Sequence, residues 1–141
     1  MEELIIDKSK TMSQQVAQVL GFYIQDPVNR RSVNRSKCNY SPTNLSPGCF
    51  VGVFIEDKSL CNKLDASSDV IHCLAQVFYN EMPLVILDNL DLFSDLQQVH
   101  DNGTEAYWNT EKVWTGQQAL CKLIDRHDIL DAKDFVEYLK Y

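Results

Sequence analysis

The run CFVGVFI, Cys49 to Ile55, carries no charged or amide side chain over seven consecutive positions and follows Pro47-Gly48. A segment this apolar has to be buried wherever the chain puts it, so the fold is arranged around it. Its shortness and its valine and phenylalanine content predict a buried strand rather than a helix. Gly52 inside the run marks a bulge or a place where another backbone comes close. With a short extended piece at Cys38 to Tyr40, across a loop rich in Asn, Ser and Pro, it would form an antiparallel hairpin.

The remaining periodicity is helical. From Thr11, residues Val16, Ala17, Leu20, Tyr23 and Ile24 recur at helical spacing; Thr11 or Ser13 can cap the start, and Asp26-Pro27 ends the pattern. Gly21 within it is tolerated, or permits close packing. Further helices are expected from Ser67 or Ser68 through Val77 and Phe78, from Asp88 to a stop at Asn102-Gly103, and around Leu120 and Ile124. A short amphipathic helix is expected at the C-terminal end. The expected fold is therefore α+β: one mostly helical small domain over residues 1–141, with a two- or three-stranded antiparallel sheet. The first ten residues are expected to form a flexible N-terminal extension.

Composition agrees with a chain that folds around its own core. At 141 residues with 45% hydrophobic and 23% charged side chains, it needs no staples to hold a core. No run approaches the roughly 18 apolar residues that span a bilayer. The N-terminal stretch is acidic with only a short apolar patch, Leu4 to Ile6, which does not read as a secretory signal. A cytoplasmic location and no membrane partner are expected. Five cysteines without an export signal are expected to be reduced. There is no C-x-x-C pair, so a zinc site would need distant cysteines to converge with His72 or His100. Packing of small apolar side chains is the favoured account, and no metal or cofactor is expected.

Catalytic signatures are sparse. His100-Asp101, His127-Asp128 and His72-Cys73 are neighbours in sequence, and adjacent residues on a helix point about 100° apart, so none forms an oriented dyad. His100 falls mid-stripe among Phe93 and Leu96 and reads as a core histidine. Cys49 with His100 would make a nucleophile pair, but no local signature supports it. Phosphate-loop, dinucleotide, zinc-protease and nucleophile-elbow motifs are missing. No catalytic residue is assigned.

Charge is the most informative feature beyond the core. Between Pro27 and Ile55 there is no acid, while Arg30, Arg31, Arg35 and Lys37 are all present; from Leu64 to Glu111 there is no Lys or Arg, only acids. On the helix expected from Asp88, residues Leu92, Phe93, Leu96, Val99 and His100 share one arc, and Asp88, Asp91 and Asp95 fall on another. That carboxylate row beside an apolar patch would suit a basic protein surface. The bland alternative is a helix that solvates its outer face with acids. The segment NRRSVNRSK offers guanidinium forks that match phosphate oxygens, which makes Arg30, Arg31, Arg35 and Lys37 a candidate anion site. Its alternative is a loop that lies against the chain's own acidic helices. Direct nucleic-acid binding is disfavoured by a net charge of −7 and a pI near 4.8.

The order Cys38-x-Tyr40-x-Pro42, Gly48-Cys49-x-x-Gly52-x-x-Ile55 and Leu96-Gln97-x-x-His100-Asp101, with Trp108 following, resembles a family of small phage and prophage proteins. The resemblance covers roughly residues 37–130 and rests on scattered positions. It departs from the pattern in a longer loop between the two cysteines and in the basic segment before it. It brings no catalytic residues with it. What it implies is an origin in a virus or mobile element, where small proteins often bind and block host machinery. The leading expectation is thus a phage-type binding protein that inhibits a host factor, such as a defence component, through contact with a host protein. The alternative is a nucleotide or cyclic-nucleotide binder or hydrolase that uses the arginine-rich loop as a phosphate clamp. A structural component of a virion is a third. A homodimer that uses Cys49 to Ile55 and exposed aromatics also remains open.

Overall fold

A computed structural model describes residues 4–26, 30, 33–34, 37–43, 46–67, 70–101 and 117–139. Helix α1, Met12–Gln25, starts at a capping box: the Thr11 hydroxyl accepts from the Gln14 N–H at 3.1 Å, and the Gln14 side chain accepts from the Thr11 N–H at 3.0 Å. The helix ends at Asp26, ahead of Pro27. Val16, Val19, Leu20 and Tyr23, spaced i, i+3, i+4 and i+7, are all buried, so α1 runs through the centre of the core.

The C-terminal 3-10 segment Ala132–Tyr138 lies along α1. Ser13 Oγ accepts from the Asp131 N–H at 2.9 Å, and Phe135 is fully buried. At Gly21 a Cβ would fall 2.1 Å from the Tyr138 hydroxyl, so the glycine is what lets the tyrosine ring reach the helix. Of the two expectations for Gly21, close packing is the one that applies.

Around this pair are α2 (Lys58–Ser67), α3 (Ile71–Val77), the single turn α4 (Leu84–Leu87), α5 (Leu90–Asp101) and α6 (Gln117–Arg126). The arc expected on α5 is the buried one: Leu92, Phe93, Leu96, Val99 and His100 all face the core. Leu60, Cys61 and Leu64 from α2, Ile71 and Leu74 from α3, and Leu120 and Leu123 from α6 complete it. Each large side chain fully buried here contributes about 1.5–3 kcal/mol relative to exposure.

The expected α+β architecture with an antiparallel sheet is overturned; the chain is helical. Extended pairing among the described residues stops at a two-residue antiparallel ladder, β1 (Val33–Asn34) with β2 (Lys37–Cys38), in the register Val33 to Cys38 and Asn34 to Lys37. A ladder that short builds no layer. The run Cys49–Ile55 is a turn leading into the 3-10 helix Gly52–Phe54. Its amides bond back within the run: Val53 N–H to the Cys49 carbonyl, Phe54 N–H to Val51, and Ile55 N–H to Gly52. Only one bond of the imagined hairpin forms, from the Cys49 N–H to the Asn39 carbonyl at 2.8 Å.

The physical reason lies in two glycines. Gly48 adopts φ 110°, and a Cβ on Gly52 would sit 2.2 Å from the Tyr40 carbonyl oxygen. The Tyr40 backbone is pressed onto Gly52 and wraps the run, as the close-approach reading of that glycine required. The Tyr40 and Ser41 amides then donate to the Asp65 carboxylate at 2.6 and 3.2 Å, which fastens the loop to α2. Cys49 to Gly52, Phe54 and Ile55 are buried, and Val53 is half-buried.

Cysteine accessibility follows from the same packing. Cys49 and Cys61 are buried, while Cys73 and Cys121 are exposed. Burial pushes the Cys61 thiol up to about 11, so the nucleophilic thiolate is scarce at neutral pH. Iodoacetamide at pH 8 should label Cys73 and Cys121 in the folded protein and reach Cys49 and Cys61 only in urea, as read by peptide mass spectrometry. Because the Cys61 value is raised on folding, the protein should also lose stability as pH rises from about 9 towards 11. Equal labelling of Cys61 and Cys73 without denaturant would overturn the packing described.

Candidate functional site

Residues 4–8 run along the surface beside α1, with Leu4 and Ile6 half-buried against the core and Ile5 72% exposed. The side chain of Gln18 on α1 holds them in place: its Nε2 donates to the Ile5 carbonyl, and its Oε1 accepts from the Asp7 N–H at 3.1 Å. The opposite wall is built by Val53 to Lys58 and by Pro83 and Val85. Pro83 is the N-cap of α4. Between the walls lies an open groove of about 790 Å³, inside the roughly 300–1,000 Å³ range of ligand pockets.

The polar groups of the groove are largely engaged by the chain itself. Lys8 pairs with Glu56, and Lys63 with Glu81 at 2.7 Å. The Lys58 ammonium donates to the carbonyls of Ile55 at 2.7 Å and Gly52 at 3.3 Å, closing the end of the 3-10 helix. Asp57 accepts from the Ser59 hydroxyl at 2.6 Å and its N–H at 3.0 Å, and these bonds hold its carboxyl below the usual range. The floor and upper wall are aliphatic, and Leu84 next to them is 72% exposed.

The acidic row expected on one helix face breaks up. Asp88 is exposed but lies in the turn before α5 rather than on it. Asp91 is on α5 at 86% exposure, 3.0 Å from His72 Nε2. Asp95 is only 14% exposed: His127 Nε2 lies 2.5 Å from its Oδ2, and Arg126 Nη1 3.4 Å from the same oxygen. It fastens α5 to the end of α6. Asp65 and Glu81, also in the acidic stretch, are likewise used internally.

The basic segment fares similarly where it is described. Arg30 grips the end of α1: Nη1 donates to the Phe22 carbonyl at 2.9 Å and to Gln25 Oε1 at 3.1 Å, with Cζ 4.0 Å above the Phe22 ring. A guanidinium so placed caps a helix terminus and neutralises its dipole. Arg31 and Arg35 lie outside the described residues, and of Lys37 only the backbone, in β2, is described.

The histidines follow the reading of their sequence positions in part. His100 is fully buried, its ring edge-on to Tyr23 at 5.2 Å between centroids. Tyr23 in turn packs on Phe50 and donates its hydroxyl to the Gly48 carbonyl. His127 takes Asp95 as partner rather than its neighbour Asp128, a pairing across 32 residues with no local spacing to announce it. Among the described residues no group of three His, Cys, Asp or Glu side chains could hold a metal ion. No helix among them is long and apolar enough to cross a membrane. Comparison with family models, curated proteins and solved structures finds no match.

The groove itself went unread. Its one local signal was the Leu4 to Ile6 patch, an aliphatic cluster in an otherwise polar N-terminal stretch. The Val53 and Val85 walls come from distant segments, and no periodicity links them.

Proposed function

We propose that this chain is a binding protein of the phage type its sequence resembles, acting in the host cytoplasm by contact with a host protein and blocking it. The observation that carries the reading is the apolar groove between residues 4–8 and the Val53 and Val85 walls, with Ile5 and Leu84 held out to solvent beside it. An aliphatic side chain left exposed beside such a groove costs free energy that a partner would recover by covering it. A net charge of −7 favours a basic partner and speeds the encounter at low salt. The nucleotide-clamp alternative loses its first arginine, because Arg30 is occupied by the end of α1.

The test is capture from bacterial lysate with wild type and an Ile5→Glu variant. Ile5 is exposed, so the substitution should change stability by no more than about 0.5 kcal/mol. A stoichiometric partner retained by wild type and lost by Ile5→Glu is the expected result. Equal capture by both proteins would remove the groove from the account.

A further inference from the structure

The inference here rests on the groove as the binding surface and concerns how it is filled. The Gln18 amide serves the Ile5 carbonyl and the Asp7 N–H together. One group that bonds the carbonyl of residue i−1 and the amide of residue i+1 reproduces how a parallel strand bonds its neighbour. Gln18 thus stands in for a single strand residue and holds Ile5 to Asp7 extended. The exposure pattern agrees, alternating between half-buried Leu4 and Ile6 and exposed Ile5 and Asp7. In such backbone the amide and carbonyl of the middle residue point to the opposite edge. Ile6 therefore turns its N–H and C=O away from α1, and neither has a partner among the described residues. That edge borders the groove, which Leu4, Ile5 and Ile6 line.

The geometry points to strand addition: an extended segment of another protein lies in the groove, exchanges hydrogen bonds with Ile6, and sets alternate aliphatic side chains against Val53, Pro83 and Val85. An unpaired strand edge beside an apolar groove is the arrangement that captures peptides in this way. Charge selects the flanks of the occupant. Of the charged groups in the lining, Lys8 is paired with Glu56, and Lys58 is spent on backbone carbonyls. Asp57 is bonded by Ser59 and feels the Lys63 ammonium, which also pairs with Glu81. The local charges therefore balance, and it is the chain's net charge of −7 that favours a lysine or arginine beside the aliphatic stretch.

The probe is a short capped peptide of alternating valine and threonine with lysine at one end. Its companion is N-methylated at two successive residues, which removes a donor from each of its edges. Affinity is measured by calorimetry, and amide exchange at Ile6 by nuclear magnetic resonance. The parent peptide is expected to bind wild type, slow exchange at Ile6, and lose affinity to Ile5→Glu. N-methylation should weaken binding about ten-fold or more, the value of one peptide hydrogen bond. Equal affinity of the methylated peptide, unchanged exchange at Ile6, or no binding of the parent would overturn strand addition. So would a dimer of this chain that protects Ile6 by pairing two such edges. If the peptide fails while a lysate partner is still lost by Ile5→Glu, strand addition falls and the groove stands; if both fail, the groove falls too.

Discussion

An Asp95→Lys variant is expected to melt roughly 10–15 °C below the wild-type protein, corresponding to about 3–5 kcal/mol. The carboxylate is 14% exposed and faces His127, itself 10% exposed, with Arg126 beside it. Lysine there would place a cation against the largely buried His127, with the more exposed Arg126 nearby. Asp91→Lys breaks only an open pair with His72 and should cost at most about 1 kcal/mol. Asp88→Lys, at an exposed turn, should lie within about 0.5 kcal/mol of wild type. Thermal unfolding of the three single variants separates one structural carboxylate from two surface ones. If all three melt together, the pairing of Asp95 with His127 carries no weight in the fold.

Gly52→Ala should be nearly as damaging, at about 3 kcal/mol in urea denaturation. The new Cβ would fall 2.2 Å from the Tyr40 carbonyl oxygen and 2.9 Å from its carbonyl carbon and Cα. These are backbone atoms, and Tyr40 is itself tied to Asp65 through its N–H, so nothing can swing aside. Gly21→Ala is the instructive comparison. Its clash is with the Tyr138 hydroxyl, the far end of a side chain that can turn away. It should cost about 1 kcal/mol, and Tyr138→Phe in the same chain should return part of the loss. A Gly52→Ala protein as stable as wild type would mean that the Tyr40 crossing is not held as described.

Helices announced by local chemistry were legible in the sequence, and segments decided by distant neighbours were not. Thr11 and Gln14 cap α1 by a reciprocal bond that any reader of the sequence can locate. His100 fell on the apolar arc of α5 and is buried there. By contrast, Cys49 to Ile55 has the composition of a strand, yet it packs against Tyr40, Tyr23 and Phe93 and satisfies its amides within the run, so its composition alone makes no demand for a ladder. Helix α2 escaped notice although Asp57 and Ser59 form a local N-terminal turn and Leu60, Cys61 and Leu64 share a face. The acidic row failed for a different reason. Spacing on a wheel places side chains on a face, but it does not say that α6 will end against that face and bring His127 to Asp95. The groove depended on segments brought together only by the finished fold, and its Leu4 to Ile6 wall looked like a terminal stub.

The bond between Ser13 and the Asp131 amide joins residues 118 apart in the chain. During synthesis α1 therefore leaves the ribosome long before the segment that covers it. At about 5–20 residues per second, the Val16 and Leu20 end of the stripe would wait roughly 6–24 s for Phe135 to arrive, while Tyr23 can already meet Phe50 and His100. Nascent chains would carry an incompletely covered apolar helix through that interval, which makes them natural clients for a holding chaperone. Premature termination between α5 and residue 131 would release a product whose first helix never finds its cover, and proteolysis rather than folding is the fate that awaits it.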